Sequence, residues 1–307
     1  MITQSRRGAE KGRKVKRFQI LLVAVFGAVL GCGAEPEAHV DSVVAEVLAN
    51  VAKLKAASPD AVPMAFWDFD GTIIKGDIGD EYVQDGKVQY RGLIRDSILA
   101  GLCPVYRGEE GCVQWWADYS RMHEIGSWLC QGYDAQMYAG VELSVLEEFC
   151  NRRIRECYLR WYFASSVAIW KRLAEAGVEN YVVSANVESL MRNVAPTLGI
   201  PRSRVRGARV EIEGGRLTTK IVHPIPFGEG KVEAVRQMVL ARPNGVVVAG
   251  FGNSYSTDGN FLRYIVTQHL PGGAKGFALM INGGRPKPGF EGLFRCVDQS
   301  ATQGVTP

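Results

Sequence analysis

Short apolar runs alternate with amphipathic stretches along the second half of the chain, and this alternation constrains the fold more than any other feature. Apolar, β-branched runs at residues 180–184, 245–249 and 277–281 predict strands. The predicted helices, which have apolar residues at helical spacing, are 165–176, 187–198, 229–240 and 261–268. Strands separated by helices favour a parallel sheet covered on both faces, which is a doubly wound α/β fold.

An earlier strand, predicted at residues 61–69, carries two acids at its end. Asp68 and Asp70 are two residues apart, and in an extended chain such residues face the same side. Gly71 then allows a sharp turn before Thr72. One carboxylate can attack phosphorus while the other handles the proton of the leaving group, as in covalent catalysis with a general acid. The same segment is also ordinary turn chemistry, so it does not decide the function alone.

Polar side chains also follow the later strands and open a later helix. Ser184 ends its strand, and its hydroxyl can hydrogen-bond a phosphoryl oxygen. Lys231 lies in the first turn of its helix, where a cation adds to the main-chain amides in holding anionic charge. Asn253 and Asp258 follow the strand at 245–249 and offer hard oxygen ligands for Mg²⁺. Together these residues predict a phosphate and metal site beyond the carboxyl ends of the strands.

The four polar segments, in this order and spacing, resemble motifs I to IV of the haloacid dehalogenase (HAD) superfamily. The resemblance covers residues 60–285 and is strongest to the phosphoserine-phosphatase-like branch, whose cap is inserted between motifs I and II. Residues 76–164 occupy that place and are predicted to be mostly helical. The resemblance therefore implies a doubly wound core with an inserted, mostly helical cap.

The resemblance also implies a role for each motif residue. Asp68 would form an aspartyl-phosphate, and Asp70 would protonate the leaving group and then activate water. Ser184, Lys231 and Thr72 would hold the phosphoryl oxygens. Mg²⁺ would lie among Asp68, the main-chain carbonyl of Asp70 and the motif IV residues. A cap over the strand ends excludes large molecules, so the expected substrate is a small phosphomonoester.

Motif IV departs from the family pattern. It usually begins Gly-Asp, whereas this chain has Gly252-Asn253, with the closing acid at Asp258. An amide oxygen can coordinate Mg²⁺ but brings less charge. Either metal binding is weaker, or Asp258 takes over as the direct ligand, and the sequence leaves both open.

The predicted cap is rich in aromatic residues. Those gathered within fourteen residues are Trp115, Trp116, Tyr119 and Trp128. We interpret them as the core of the cap, with a ligand box as the alternative. Asp77 and Glu81, just past motif I, either reach the substrate or are solvated charges. Aromatic faces beside carboxylates would suit an organic cation, which makes a phosphorylated amino alcohol a candidate substrate.

The N-terminus has the pattern of an export signal. Seven of the 36 Lys and Arg residues and one of the 32 acids lie in residues 1–31, which leaves 29 basic and 31 acidic residues beyond them. That balance gives no reason to expect a nucleic acid partner. The basic stretch precedes an apolar run at 18–30, and Val29-Leu30-Gly31-Cys32 resembles a bacterial lipobox. We therefore expect an exported lipoprotein anchored through Cys32 on the periplasmic or cell-surface side, with an uncleaved anchor helix as the alternative.

Six further cysteines are present, and none forms a C-x-x-C pair, so a structural zinc site is not predicted. They are Cys103, Cys112, Cys130, Cys150, Cys157 and Cys296. In an exported protein an even number permits disulfides, and the sequence leaves their pairing open.

The sequence thus predicts four parts. They are a lipoprotein signal peptide at 1–31, a tether and leading helix at 32–58, a catalytic core at 59–75 and 165–300, and a cap at 76–164. The predicted function is Mg²⁺-dependent hydrolysis of a small phosphomonoester through an aspartyl-phosphate. Two alternatives are phosphoryl transfer to an acceptor other than water and a catalytically silent, surface-bound binding protein.

Overall fold

The computed structural model describes residues 36–304 of the chain, with side chains from His39 onward. The strands are β1 (Val62–Trp67), β2 (Tyr82–Gln84), β3 (Lys87–Tyr90), β4 (Glu179–Val187), β5 (Val205–Glu213), β6 (Arg216–Val222), β7 (Gly245–Gly252), β8 (Phe277–Ile281) and β9 (Arg295–Val297). The α-helices are α1 (Pro36–Ala57), α2 (Leu93–Leu99), α3 (Gly108–Ile125), α4 (Ser127–Gln136), α5 (Leu143–Arg153), α6 (Ala164–Glu175), α7 (Glu188–Met191), α8 (Glu229–Leu240) and α9 (Gly259–Val266). The predicted signal peptide and Cys32 lie outside the described residues. Of the helices described, none is both long enough and apolar enough to cross a bilayer.

Seven of the described strands form one sheet, in the order β6-β5-β4-β1-β7-β8-β9. β1 lies at the centre and pairs in parallel with β4 and with β7. All other neighbours are parallel except β5 and β6, which form an antiparallel hairpin. This mostly parallel sheet with helices confirms the predicted α/β fold. The chain continues from β1 to β4 on one side and returns to β7 on the other, so the carboxyl end of β1 is a switch point where ligands bind in such sheets.

The central strand is buried on both faces, and its side chains alternate between two apolar layers. Trp67 packs in the layer that contains α1 and α6 and stacks on Phe251 of β7. Phe66 packs in the opposite layer, with α8 and α9, and stacks on Tyr181 of β4. A strand covered by helices on both faces has a nearly continuous apolar sequence, as residues 61–69 do. This packing holds the end of β1, and with it Asp68, in a fixed position.

Two predicted elements differ from the structure around motif II. The strand predicted to end at Ser184 continues to Val187, because β4 goes on pairing with β5 beyond a register shift. The predicted helix at 187–198 is instead the single turn α7 followed by a 3₁₀ helix at Arg192–Leu198. Pro196 lies inside that 3₁₀ helix, and proline has no N–H for an α-helical hydrogen bond and clashes with the preceding turn.

The inserted cap, residues 76–164, contains α2 to α5 and is mostly helical as predicted. It also contains the β2–β3 hairpin, which the sequence did not predict. Asp85 and Gly86 form its turn with positive φ angles, and an Asp-Gly pair is a recognised hairpin signal. Its strands are only three and four residues long, too short for an alternating apolar pattern to be visible.

Two sets of main-chain hydrogen bonds attach the cap to the core. The segments that enter and leave it lie side by side, since Phe163 N donates to Ile73 O at 2.8 Å and Lys75 N donates to Trp161 O at 2.9 Å. On the far side, Gly140 N donates to Leu217 O of β6 at 2.7 Å. The cap is therefore held at both ends over the carboxyl edge of the sheet.

The described cysteines are all free thiols, so the disulfides that their even number permits are not formed among residues 36–304. Cys103, Cys112, Cys130 and Cys150 are buried, and Cys296 is exposed.

Candidate active site

The predicted motif residues converge because of the strand order. Asp68 and Asp70 follow β1, Ser184 lies on β4, and Asn253 and Asp258 follow β7. These three strands are neighbours and parallel, so their carboxyl ends meet at one edge of the sheet. The main chain already joins two of them there, since Asp68 N donates to Phe251 O at 2.8 Å.

Asp68 lies at the centre of the site and is 5% exposed. Its Oδ1 accepts a hydrogen bond from Lys231 Nζ at 2.7 Å, and its Oδ2 accepts one from Thr72 Oγ1 at 3.2 Å. Burial, and then the charge of Asp258, raise the pKa of Asp68 to about 7, although Lys231 works in the opposite direction. The side chain is thus held in one orientation by two donors.

Lys231 has no exposed surface and bridges two acids. Besides Asp68, its Nζ contacts Asp258 Oδ1 at 2.6 Å. Burial disfavours the ammonium, but the charges of Asp258 and Asp68 outweigh that effect and raise the pKa of Lys231. A permanently charged lysine therefore lies beside the Asp68 carboxylate, where it can balance anionic charge.

Asp70 lies two residues beyond Asp68 and accepts hydrogen bonds from both the core and the cap. Its Oδ1 accepts from Ile78 N at 2.7 Å, and its Oδ2 accepts from Ser184 Oγ at 3.2 Å. Burial, followed by the charges of Asp77 and Asp68, raises the pKa of Asp70 well above its ordinary value. A carboxyl group in this environment favours its protonated form and can donate a proton.

Asn186 is a polar residue of the site that the sequence analysis missed. Its Nδ2 donates to Asp77 Oδ1 at 3.0 Å, and its main-chain N donates to Ser184 Oγ at 3.1 Å. It connects β4 to the first residues of the cap. The sequence contained an indication of this residue, because Asn186 follows Ser184 by two positions and therefore shares its face of the strand.

The Asp258 carboxylate has hydrogen-bond partners on both oxygens. Oδ1 accepts from Lys231, and Oδ2 accepts from the main-chain N of Asn253 at 2.9 Å and of Ser254 at 3.0 Å. These bonds hold the loop after β7 in a tight turn. Asp258 itself is fully buried.

The Asn253 side chain lies against the turn after motif I. A Cβ placed on Gly71, whose φ is +71°, would lie 2.0 Å from Asn253 Nδ2, so only glycine fits there. The Asn253 amide therefore shares one site with the Asp68 carboxylate and the Asp70 main chain. These are hard oxygen donors of the type that Mg²⁺ prefers, so the residues fit a magnesium ion. Within residues 36–304, no group of three or more His, Cys, Asp or Glu side chains is arranged to hold a metal ion.

A cavity of about 520 Å³ opens above these residues, between the sheet edge and the cap. Asp68, Asp70, Ser184 and Asn253 form its floor. The cap residues that line it are Asp77, Gly79, Asp80, Glu81, Ile94, Trp115, Trp116, Tyr119, His123, Ser127, Gln131 and Asp134. The cavity is thus bounded by the motif residues below and by aromatic and acidic cap residues above.

The aromatic residues of the cap fit partly the interpretation as cap core and partly the interpretation as a ligand box. Trp115 is buried in the cap as expected of a core residue, yet it also lines the cavity together with Trp116 and Tyr119. Trp128 is half exposed and is not part of the lining. Asp134 is a lining acid that the sequence analysis missed, because a single acid in a cap helix has no distinguishing pattern.

Comparison with known proteins identifies the family of this chain. The family profile described as haloacid dehalogenase-like hydrolase matches residues 65–262, more than half of the 307 residues. The chain matches none of the curated proteins.

Three solved structures are similar to the chain. A protein with unknown function from Bordetella pertussis Tohama I is 17% identical, covers 78% of this chain and 99% of its own, and gives a TM-score of 0.55. A HAD family hydrolase from Salmonella enterica serovar Typhi is 15% identical over 77% of this chain and 67% of its own, with a TM-score of 0.46. A substrate-bound phosphoserine phosphatase is 12% identical; the match covers 78% of this chain and 93% of the phosphatase chain, with a TM-score of 0.43. At these identities the Bordetella structure shows a shared fold, and the profile match shows that the chain belongs to the haloacid dehalogenase-like hydrolases.

Proposed function

We propose that this protein is a Mg²⁺-dependent phosphatase that hydrolyses a small phosphomonoester through an aspartyl-phosphate on Asp68. The observation that carries the proposal is the convergence of Asp68, Asp70 and Ser184 on one cavity floor, with Lys231 bonded to Asp68 from behind. A held carboxylate, a carboxyl group whose pKa is raised, a hydroxyl and a buried ammonium are groups that phosphoryl transfer uses.

In the first step an Asp68 oxygen attacks phosphorus. The bond from phosphorus to the substrate alcohol breaks as the bond to Asp68 forms, and Asp70 gives its proton to the departing alkoxide. Lys231 balances the negative charge of the phosphoryl group, and the Ser184 hydroxyl donates a hydrogen bond to a phosphoryl oxygen. Thr72, which bonds Asp68 Oδ2, orients the nucleophile.

In the second step water attacks the phosphorus of the aspartyl-phosphate. Asp70, now ionised, accepts the proton of that water, and the bond from phosphorus to Asp68 breaks. Inorganic phosphate leaves, and both carboxyl groups return to their starting states.

A magnesium ion would be held by the Asp68 carboxylate, the main-chain carbonyl of Asp70 and the Asn253 side-chain oxygen. When bound, it would supply positive charge that reduces repulsion between the nucleophile and the phosphate. We assign Asp258 to positioning, since both of its oxygens are bonded to Lys231 and to the motif IV loop.

We further propose that the protein is exported and anchored to a membrane through a lipid on Cys32. The basic stretch, the apolar run and the lipobox-like tetrapeptide support this location. The substrate would then be met outside the cytoplasm.

A panel of small phosphomonoesters, assayed by phosphate release with Mg²⁺ and again with a chelator, tests the proposed function. We expect turnover only with the metal. Added alcohols separate hydrolysis from transfer, because a phosphotransferase would form new phosphate esters. Absence of turnover across the panel, including p-nitrophenyl phosphate, would instead favour the catalytically silent binding protein.

A further inference from the structure

The charged side chains that line the cavity are nearly all acidic. Beyond the Asp68 and Asp70 pair, they are Asp77, Asp80, Glu81, Asp134 and His123. Among the described residues, no lysine or arginine belongs to the lining, and the nearest cations are already paired. Lys231 lies behind Asp68, and Arg95 bonds Asp80 at 2.8 Å. A second anionic group on the substrate would therefore meet repulsion from the cap wall.

Aromatic rings form part of the same wall. Trp116 and Tyr119 stack with their ring centres 5.5 Å apart and their planes 8° apart, and Trp115 lies 5.8 Å from Trp116. The Arg95 guanidinium already lies over the rings of Trp115 and Trp116, at 5.5 and 5.8 Å. The rings thus already accept one cation within the protein, and Trp116 and Tyr119 are also open to the cavity.

Asp134 is the buried acid of this wall. It is 3% exposed, its Oδ1 accepts from Trp115 Nε1 at 2.8 Å, and no protein donor bonds its Oδ2 within the described residues. Burial, opposed by the Trp115 bond and helped by the charges of Asp77 and Asp80, raises the pKa of Asp134 to about 8. A carboxylate in an apolar, aromatic surrounding is costly unless a positive charge accompanies it.

We propose that Trp116, Tyr119 and Asp134 form a subsite for an organic ammonium group on the alcohol part of the substrate. The inference rests on the proposed phosphatase function and gives it a substrate class, the phosphomonoesters of amino alcohols. The phosphate lies on the floor beside Asp68, and the ammonium lies against the cap wall. The rings attract a cation that has lost part of its hydration shell, and the bound cation would favour the ionised form of Asp134 over the protonated form that burial favours.

The test compares two esters that differ in a single atom. Phosphocholine and 3,3-dimethylbutyl phosphate have the same shape, but the second has a neutral carbon in place of the ammonium nitrogen. We expect kcat/KM to favour phosphocholine at least about tenfold, equivalent to about 1.4 kcal/mol. Equal values, with both esters hydrolysed, would overturn the subsite and leave the phosphatase function intact.

Two pairs of variants assign any preference to the subsite. Trp116→Leu should reduce the ratio of the two kcat/KM values. Trp128→Leu is the control, because Trp128 is a half-exposed tryptophan of the same cap that does not line the cavity, and this variant should preserve the ratio. Asp134→Asn keeps an oxygen for Trp115 Nε1 and should also reduce the ratio, while Glu124→Gln, in an exposed cap acid, should not. A ratio unchanged in Trp116→Leu and Asp134→Asn would overturn the assignment.

Binding without turnover keeps the inference testable even if no ester is hydrolysed. Calorimetry with the Asp68→Asn protein should detect choline more strongly than 3,3-dimethylbutanol, its neutral counterpart. Equal affinity for the two would reject the cation subsite. Failure to hydrolyse any ester of the panel, p-nitrophenyl phosphate included, would reject the proposed function separately.

Discussion

Asp258 Oδ1 lies 2.6 Å from Lys231 Nζ, and neither side chain has any exposed surface. The same lysine reaches Asp68, so one buried cation connects the ends of β1 and β7 to the first turn of α8. Without Asp258, Lys231 would still be paired with Asp68, but the main-chain N–H groups of Asn253 and Ser254 would lose their acceptor, and an unsatisfied buried donor costs about 1 to 3 kcal/mol.

Asp258→Ala should therefore lower the free energy of unfolding by about 2 kcal/mol or more, the cost of two such donors. It should also raise the Mg²⁺ concentration needed for half-maximal activity, because Lys231 and the Asn253 loop lose their anchor. Urea denaturation and a Mg²⁺ titration measure the two effects. Glu213→Ala, which breaks an exposed ion pair with Lys220, is the control and should cost less than about 1 kcal/mol. Similar losses in both variants would show that the buried network contributes little.

Asp68→Asn keeps the shape of the side chain but removes the attacking charge. Activity should fall by several orders of magnitude while the thermal unfolding temperature remains close to that of the wild type. A phosphate mimic bound covalently to the wild-type protein should be found on Asp68 by mass spectrometry. Asp60→Asn, in an exposed aspartate before β1, should retain full activity. Normal turnover by Asp68→Asn would rule out the phosphoenzyme mechanism.

Asn253→Asp restores the acid that usually begins motif IV. A carboxylate next to Gly71 adds negative charge to the metal site, so half-maximal activity should require less Mg²⁺, or no more than before. The measurement is activity against Mg²⁺ concentration, with Asn151→Asp in the cap as a remote control. Loss of metal dependence or of metal binding in Asn253→Asp would show that this position is not a neutral replacement for a ligand.

Asp134 should make stability depend on pH. Burial raises its pKa from the ordinary 3.8 to about 8, so the folded protein keeps a proton that the unfolded chain releases. The stability that this proton contributes is complete below about pH 4 and is lost as pH rises to about 8. Asp134→Asn has no such loss. The melting temperature of the variant minus that of the wild type should therefore increase between pH 5 and pH 8, by about 3 °C for each kcal/mol of stability that the wild type loses. A difference independent of pH would place the Asp134 pKa outside this range.

Cys32→Ser tests the proposed anchor. In the proposed anchor, lipidation and removal of the signal peptide would both depend on that cysteine, so the variant should either leave the membrane fraction or accumulate as an unprocessed precursor. Fractionation and mass spectrometry of the N-terminus distinguish the two. An unchanged membrane-bound protein would favour an uncleaved anchor helix.

The sequence by itself determined the order of the main core elements and the identity of the motif residues. The helix at 229–240 and the strand at 277–281 are found with the predicted bounds, as α8 and β8, since apolar periodicity is a local property of the chain. Asp68, Asp70, Ser184, Lys231, Asn253 and Asp258 were all identifiable, because each lies near the end of a strand or the start of a helix that the sequence marks. Local errors arose where tertiary pairing extended β4 to Val187 and where Pro196 changed the helix type.

Only the tertiary structure decided which cap residues face the site. Trp116 and Trp128 look alike in the sequence, yet only the former lines the cavity, because the packing of α3 against α4 and the sheet edge sets which helix face is turned inward. Asp134 and Asn186 reach the site through contacts with residues 19 and 109 positions away. Likewise, Lys231 donates to one carboxylate oxygen of Asp258, and the main chain of the Asn253 loop donates to the other. The contact with Lys231 joins segments that are far apart in the chain. Distances between segments far apart in the chain follow from the whole packing, which no local pattern encodes.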